Sequence, residues 1–153
     1  MINNLRREVH CNAPPFLLQS AHMILILSAN FYTDITDALE AAVKEVLEAA
    51  GESYQLYHVP GAVELPVAAQ HFIKEKRPEA VITLGCVIQG ETDHYDYVLK
   101  SCTDGLTRVA LDESIPVIQG VLACKNKSQA EDRKTTKGTE FAQTALAMKK
   151  LLA

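Results

Sequence analysis

The chain has 153 residues, 48% hydrophobic and 22% charged, with a formal charge of −4 at pH 7. That length predicts one domain over residues 1–153 with one sizeable core, and the acidic balance excludes a basic nucleic-acid-binding surface. No apolar run reaches bilayer length, and the opening stretch lacks a signal-peptide core and cleavage site, so a cytoplasmic protein with no membrane partner is expected. The cysteines, Cys11, Cys86, Cys102 and Cys124, show no CxxC pair and no metal-like spacing with histidine. They read as small buried hydrophobes, with no metal and no disulfide framework.

Residues 1–20 mix charge with Pro14-Pro15 and read as an arm. The run MILILSA (23–29) reads as a central parallel strand. Thr33 or Asp34 can cap a helix through position 50, with Ile35, Leu39, Val43 and Leu47 at helical spacing and Gly51 past its end. Residues 53–59 alternate more and predict a strand nearer a sheet edge. After Pro60-Gly61 a helix is expected over 62–76, where Pro66 fits because it falls in the first turn. The run 80–88 predicts a strand buried on both faces, and 94–111 an amphipathic helix weakened at Gly105. A further strand is expected over 115–123, then a short helix from Asn126 or Ser128 and a final one from Thr136 or Thr139. This alternation implies a three-layer αβα sandwich around a doubly wound, four-stranded parallel sheet of flavodoxin-like type.

In such a sheet the segments leaving each strand meet at the carboxyl edge, where ligands bind. Phe31 leaves the first strand as an aromatic that could stack on a planar heterocycle or staple the helix that follows. Gly61 would let a ligand approach the backbone, and Ala62 and Val63 offer free N–H donors at a helix start. Glu64 is equally explained by the helix dipole. The turn Gln89-Gly90-Glu91-Thr92-Asp93 can cradle an anion, and His94 follows as a candidate acid or base. The helix terminus opposes a positive imidazolium while Glu91, Asp93 and Asp96 favour it. Arg133 and Lys137 form a basic cluster suited to a phosphate monoester, or a solvated helix face.

The stretch GCVIQGETDHYDYV resembles the signature G-T-V-I-x-G-x-T-x-H-[FY]-[DE]-Y-V of the lumazine synthases, and VPGAVELP resembles that family's second signature. The resemblance covers about residues 20–152. It implies a transferase of riboflavin biosynthesis that condenses 5-amino-6-(D-ribitylamino)uracil with 3,4-dihydroxy-2-butanone 4-phosphate, with no metal or bound cofactor. By motif, Phe31 would stack on the pyrimidine and Ala62, Val63 and Glu64 would hold the ribityl chain. Cys86, Val87 and Ile88 would meet the uracil edge. Glu91 and Thr92 would bind phosphate with Arg133, and Lys137 beside it, from an adjacent subunit, while His94 shuttles protons. The arm would add a strand to a neighbour's sheet, and riboflavin synthase would act downstream.

The chain departs from the family pattern in three places. Gln119 stands where many members carry a phenylalanine that closes over the pyrimidine, so that wall would be polar or made differently. Ala123-Cys124-Lys125-Asn126 replaces T-x-E-N, and only KTT separates Arg133 from Lys137-Gly138. This shortening favours a pentamer or paired pentamers over a sixty-subunit shell, with the site at the subunit interface. Two rival readings are a nucleotide binder, whose phosphate loop SANFYTDIT matches poorly, and a non-catalytic flavin or lumazine carrier. His94 together with Arg133 favours an enzyme.

Overall fold

The structure, a computed structural model, describes residues 22–153 and the backbone of residues 7–10. Strand β2 (Ile24–Ala29) is buried at every position, as an uninterrupted apolar run requires of a strand covered on both faces. Helix α1 (Thr33–Ala49) follows, then β3 (Tyr54–Val59), a single 3₁₀ turn (Ala62–Glu64) and α2 (Leu65–Lys76). Strand β4 (Ala80–Ile88), α3 (His94–Glu113), β5 (Val117–Cys124) and α4 (Lys127–Leu151) complete the alternation. The four strands β3-β2-β4-β5 are parallel in that order, as expected. No helix among the described residues is long and apolar enough to cross a membrane.

Right-handed crossovers place α1 and α4 on one face and α2 and α3 on the other. Two buried clusters result, one built on Ile26, Leu39, Leu84 and Ala142, the other on Leu25, Leu65, Val81 and Leu106. The chain leaves β2 toward β3 on one side and reaches β4 on the other, so the order reverses beside β2 and opens a crevice at the carboxyl edge.

The four parallel strands stand as expected, and Arg7–His10 adds β1, antiparallel on β3 of the same chain. The remaining arm positions, Cys11 among them, lie outside the described residues; Cys86, Cys102 and Cys124 are buried thiols, as expected. Two expectations need correction. The last two helices are one. Asn126 caps α4 by accepting from the Gln129 N–H at 3.0 Å, but Thr139, read as a second start, lies mid-helix and donates to the Thr135 carbonyl one turn back. Lastly, α1 begins at Thr33 with Tyr32 at its N-cap position and no side-chain cap, where a cap from Thr33 or Asp34 was expected.

Two glycines that look like helix weaknesses are close contacts. A Cβ on Gly105 would lie 2.7 Å from Pro66 Cγ, so the glycine lets α3 approach the start of α2 and fixes the turn that carries Glu64. A Cβ on Gly138 would lie 2.8 Å from both Ala42 Cβ and Leu39 O, which lets α4 lie close against α1.

Candidate active site

A cavity of about 260 Å³ opens at the carboxyl edge, where β2, β3 and β4 release their chains. From β2 come Phe31 and Tyr32; from the turn after β3, Gly61, Ala62, Val63 and Glu64; from β4, Cys86, Val87 and Ile88; and from α3, His94 and Val98. Parallel pairing aligns these exits, since Ala29 pairs with Val59 and Asn30 N donates to Val59 O at 2.9 Å. Phe31 stands 61% exposed at the mouth.

The turn after β3 is shaped by space. Gly61 is extended (φ −161°), a conformation open to any residue, but its Cβ would meet Glu64 Oε2 at 3.0 Å and Phe31 Cε2 at 3.4 Å. Glycine there lets the Phe31 ring and the Glu64 carboxyl close on the same backbone atom. Glu64 N–H donates to Gly61 O at 3.3 Å, while the N–H groups of Ala62 and Val63, first in the turn, have no intrahelical partner. The cavity thus offers an aromatic face, two backbone donors and a carboxylate.

Burial pushes the Cys86 thiol up to about 11, with Cys124 and Asp34 adding to the effect, so it is no nucleophile near neutral pH. Glu64 and His94 also line the cavity, a carboxyl and an imidazole. His94 is exposed at the first position of α3 and lines the cavity.

The other expected site residues lie elsewhere in the chain. Glu91 and Thr92 are exposed on the loop before α3 and do not line the cavity. Gln119 is exposed on β5 and donates from Nε2 to Thr107 Oγ1 at 3.0 Å. Arg133 is exposed on α4, in the layer across the sheet from α2 and α3, and Lys137 there pairs with Glu140. Reading the sequence missed Tyr32 and Val98, both in the lining; Val98 is legible as the position one helical turn after His94.

An α/β fold with a doubly wound sheet, and an aromatic-walled cavity lined by a carboxyl and an imidazole at its switch point, define a small-molecule-binding protein of the flavodoxin-like class, without a phosphate loop after the first parallel strand. Comparison with known proteins narrows this. The family model of 6,7-dimethyl-8-ribityllumazine synthase matches residues 21–153. A 6,7-dimethyl-8-ribityllumazine synthase of Paracidovorax citrulli is 40% identical over 130 residues, 83% of this chain and 84% of that one. Those of Leifsonia xyli subsp. xyli (41% over 130 residues, 81% and 82%) and Stenotrophomonas maltophilia (40% over 134 residues, 83% and 86%) are similarly related. A GDP-L-fucose synthetase of Naegleria fowleri superposes over 95% of this chain and 46% of its own with a TM-score of 0.40 at 14% identity, too distant to bear on fold or function. The chain belongs to the 6,7-dimethyl-8-ribityllumazine synthase family.

Proposed function

We propose that the chain, working as a single domain, condenses 5-amino-6-(D-ribitylamino)uracil with 3,4-dihydroxy-2-butanone 4-phosphate to give 6,7-dimethyl-8-ribityllumazine, phosphate and water. The observation that carries this is the convergence of Phe31, the Gly61–Glu64 turn and His94 on one cavity. Phe31 stacks on the pyrimidine. The N–H groups of Ala62 and Val63, with the Glu64 carboxyl, hold the ribityl hydroxyls, and Cys86, Val87 and Ile88 meet the uracil edge. The pyrimidine's primary amine attacks the ketone and water leaves to form an imine; loss of the C3 proton and of phosphate from C4 gives an enol that becomes a ketone at C3, and the ribityl-bearing amine attacks it, closing the new ring with loss of a second water. His94 moves the protons in these steps. Orientation of two reactants supplies most of the rate, with proton transfer contributing on the order of 10²–10⁴-fold.

The phosphate partners are proposed to come from two chains, Glu91 and Thr92 from one and Arg133 and Lys137 from its neighbour, in a pentamer or paired pentamers. Gln119 would form a polar wall from the same neighbour. The product then passes to riboflavin synthase. A phosphate ester does not cross a bilayer unaided, so the reaction belongs in the compartment that makes the ester, taken here as the cytoplasm.

Purified protein is incubated with both substrates while lumazine absorbance and free phosphate are followed. His94→Ala slows turnover without abolishing it, and full activity in that variant removes His94 from the mechanism. Arg133→Ala raises KM for the phosphate ester. Co-assembling the two variants restores activity only if Arg133 serves a neighbour's His94; hybrids no better than their parents refute the shared site.

A further inference from the structure

Past the end of β2 the chain bends over residues 30–32, and Phe31 and Tyr32 both line the cavity. The backbone of Tyr32 turns into the left-handed region at φ 52°, ψ 60°. That conformation is unfavourable for a bulky L-residue, whereas glycine adopts it freely and asparagine at small cost. The turn has a backbone purpose: the Tyr32 carbonyl accepts from the N–H groups of Ile35 at 2.8 Å and Thr36 at 3.0 Å and so opens α1. Glycine or asparagine would do this equally well. The ring is only partly covered, since Tyr32 is 41% exposed and makes no side-chain cap hydrogen bond. An aromatic side chain is thus held in an unfavourable backbone state, where the turn needs only the carbonyl and where the side chain lines the ligand cavity. Strained residues of this kind concentrate at ligand-binding sites.

We propose that Tyr32 is a specificity-determining residue that contacts the bound ligand, forming with Phe31 a two-ring aromatic wall against the pyrimidine. This rests on the cavity being the ribitylaminouracil site. A wall of two adjacent rings selects a planar heterocycle and is indifferent to the phosphate ester, which carries no ring.

The test separates a ligand role from a structural one because the two move stability and affinity differently. In Tyr32→Asn the turn persists, the melting temperature stays at or above that of the native protein, and KM for ribitylaminouracil rises about tenfold, the worth of one stacked aromatic, while KM for the phosphate ester changes less than about twofold. Tyr32→Phe recovers most of the lost affinity. An unchanged pyrimidine KM in Tyr32→Asn overturns the proposal. So does a lower melting temperature with equal loss toward both substrates, or a Tyr32→Phe variant no better than Tyr32→Asn. Titrating native protein and variants with 6,7-dimethyl-8-ribityllumazine by fluorescence keeps the two readings apart. If native protein forms no lumazine, the proposed activity fails; if it does and Tyr32→Asn binds as tightly, only the aromatic wall fails.

Discussion

Glu40 interrupts the apolar face of α1 and is 6% exposed, with its Oε1 2.9 Å from His58 Nε2 on β3. The pair lies one layer beneath the cavity wall: His58 pairs in register with Ser28, and Phe31 and Gly61 each follow three residues later. Ser28 beside it is fully buried, with no hydrogen-bond partner for its hydroxyl among the described residues. His58→Phe leaves the Glu40 carboxyl buried without the imidazole. An unsatisfied buried polar group costs about 1–3 kcal/mol and an unpaired buried charge about 3–5, so a loss of about 3 kcal/mol is expected. At this chain length that lowers the melting temperature by about 6–12 °C. Glu40→Leu removes the buried acid itself, and because His58 has a further interaction it should cost less than His58→Phe. The double variant fills the site with apolar groups and should cost less than the sum of the singles by at least about 1.5 kcal/mol. Urea unfolding at one fixed protomer concentration measures all four corners of the cycle, because subunit association also contributes to apparent stability. Additivity within about 0.5 kcal/mol would show that the pair does not couple α1 to β3 and would refute the argument.

Three other outcomes follow from particular contacts. Gly138→Val should destabilise by at least about 1–3 kcal/mol in denaturant unfolding, since its Cβ would fall 2.8 Å from Leu39 O, a backbone atom that cannot step aside; a neutral result would mean α1 and α4 separate freely. Cys86, with its thiol pushed up to about 11, should be about one part in a thousand thiolate at pH 8 and resist iodoacetamide in the native protein; rapid labelling seen by mass spectrometry would contradict the buried assignment. Lys149 Nζ lies 2.6 Å from Glu52 Oε2 and 2.7 Å from Glu79 Oε2. Burial alone would raise the Glu79 carboxyl, but hydrogen bonds from Lys149 and His22 outweigh it and hold the group below its usual range. Its stabilising contribution is therefore present above the unfolded value of 4.5 and lost as pH falls through the lower folded value. Burial likewise opposes the Lys149 charge, but Glu52 and Glu79 raise it, so that contribution is complete below 10.5 and fades above it. Lys149→Met should flatten both the acid and the alkaline limbs of a melting-temperature profile, and unchanged limbs would remove the cluster from the stability argument.

The parallel core was legible because β2 and β4 are continuous apolar runs between turn residues, and the order of helices and strands leaves few right-handed arrangements. The single helix α4 was not. Its weak amphipathicity and its threonines resemble starts and stops, and only contact with α1 shows why Gly138 is tolerated mid-helix. Within the site, Phe31, the Gly61–Glu64 turn and His94 could be placed because each sits where a strand ends. Tyr32 was hidden for a physical reason: the left-handed backbone that sets its direction leaves no mark in the residue type.

The charge inventory of the cavity carries the last step. Among the described lining residues there is no lysine or arginine, and Glu64 contributes a carboxyl. A phosphate ester entering this space would bring about two negative charges against that acid, with only the loop before α3 to receive them. Backbone N–H groups at a helix start hold such an anion, but their partial charge amounts to about half a unit, well short of neutralising it. Arg133, proposed to meet that charge, stands exposed on α4, in the helical layer on the other face of the sheet from α2 and α3. The lining itself therefore supplies little positive charge for a dianion, and the charge that balances it has to come from outside these residues.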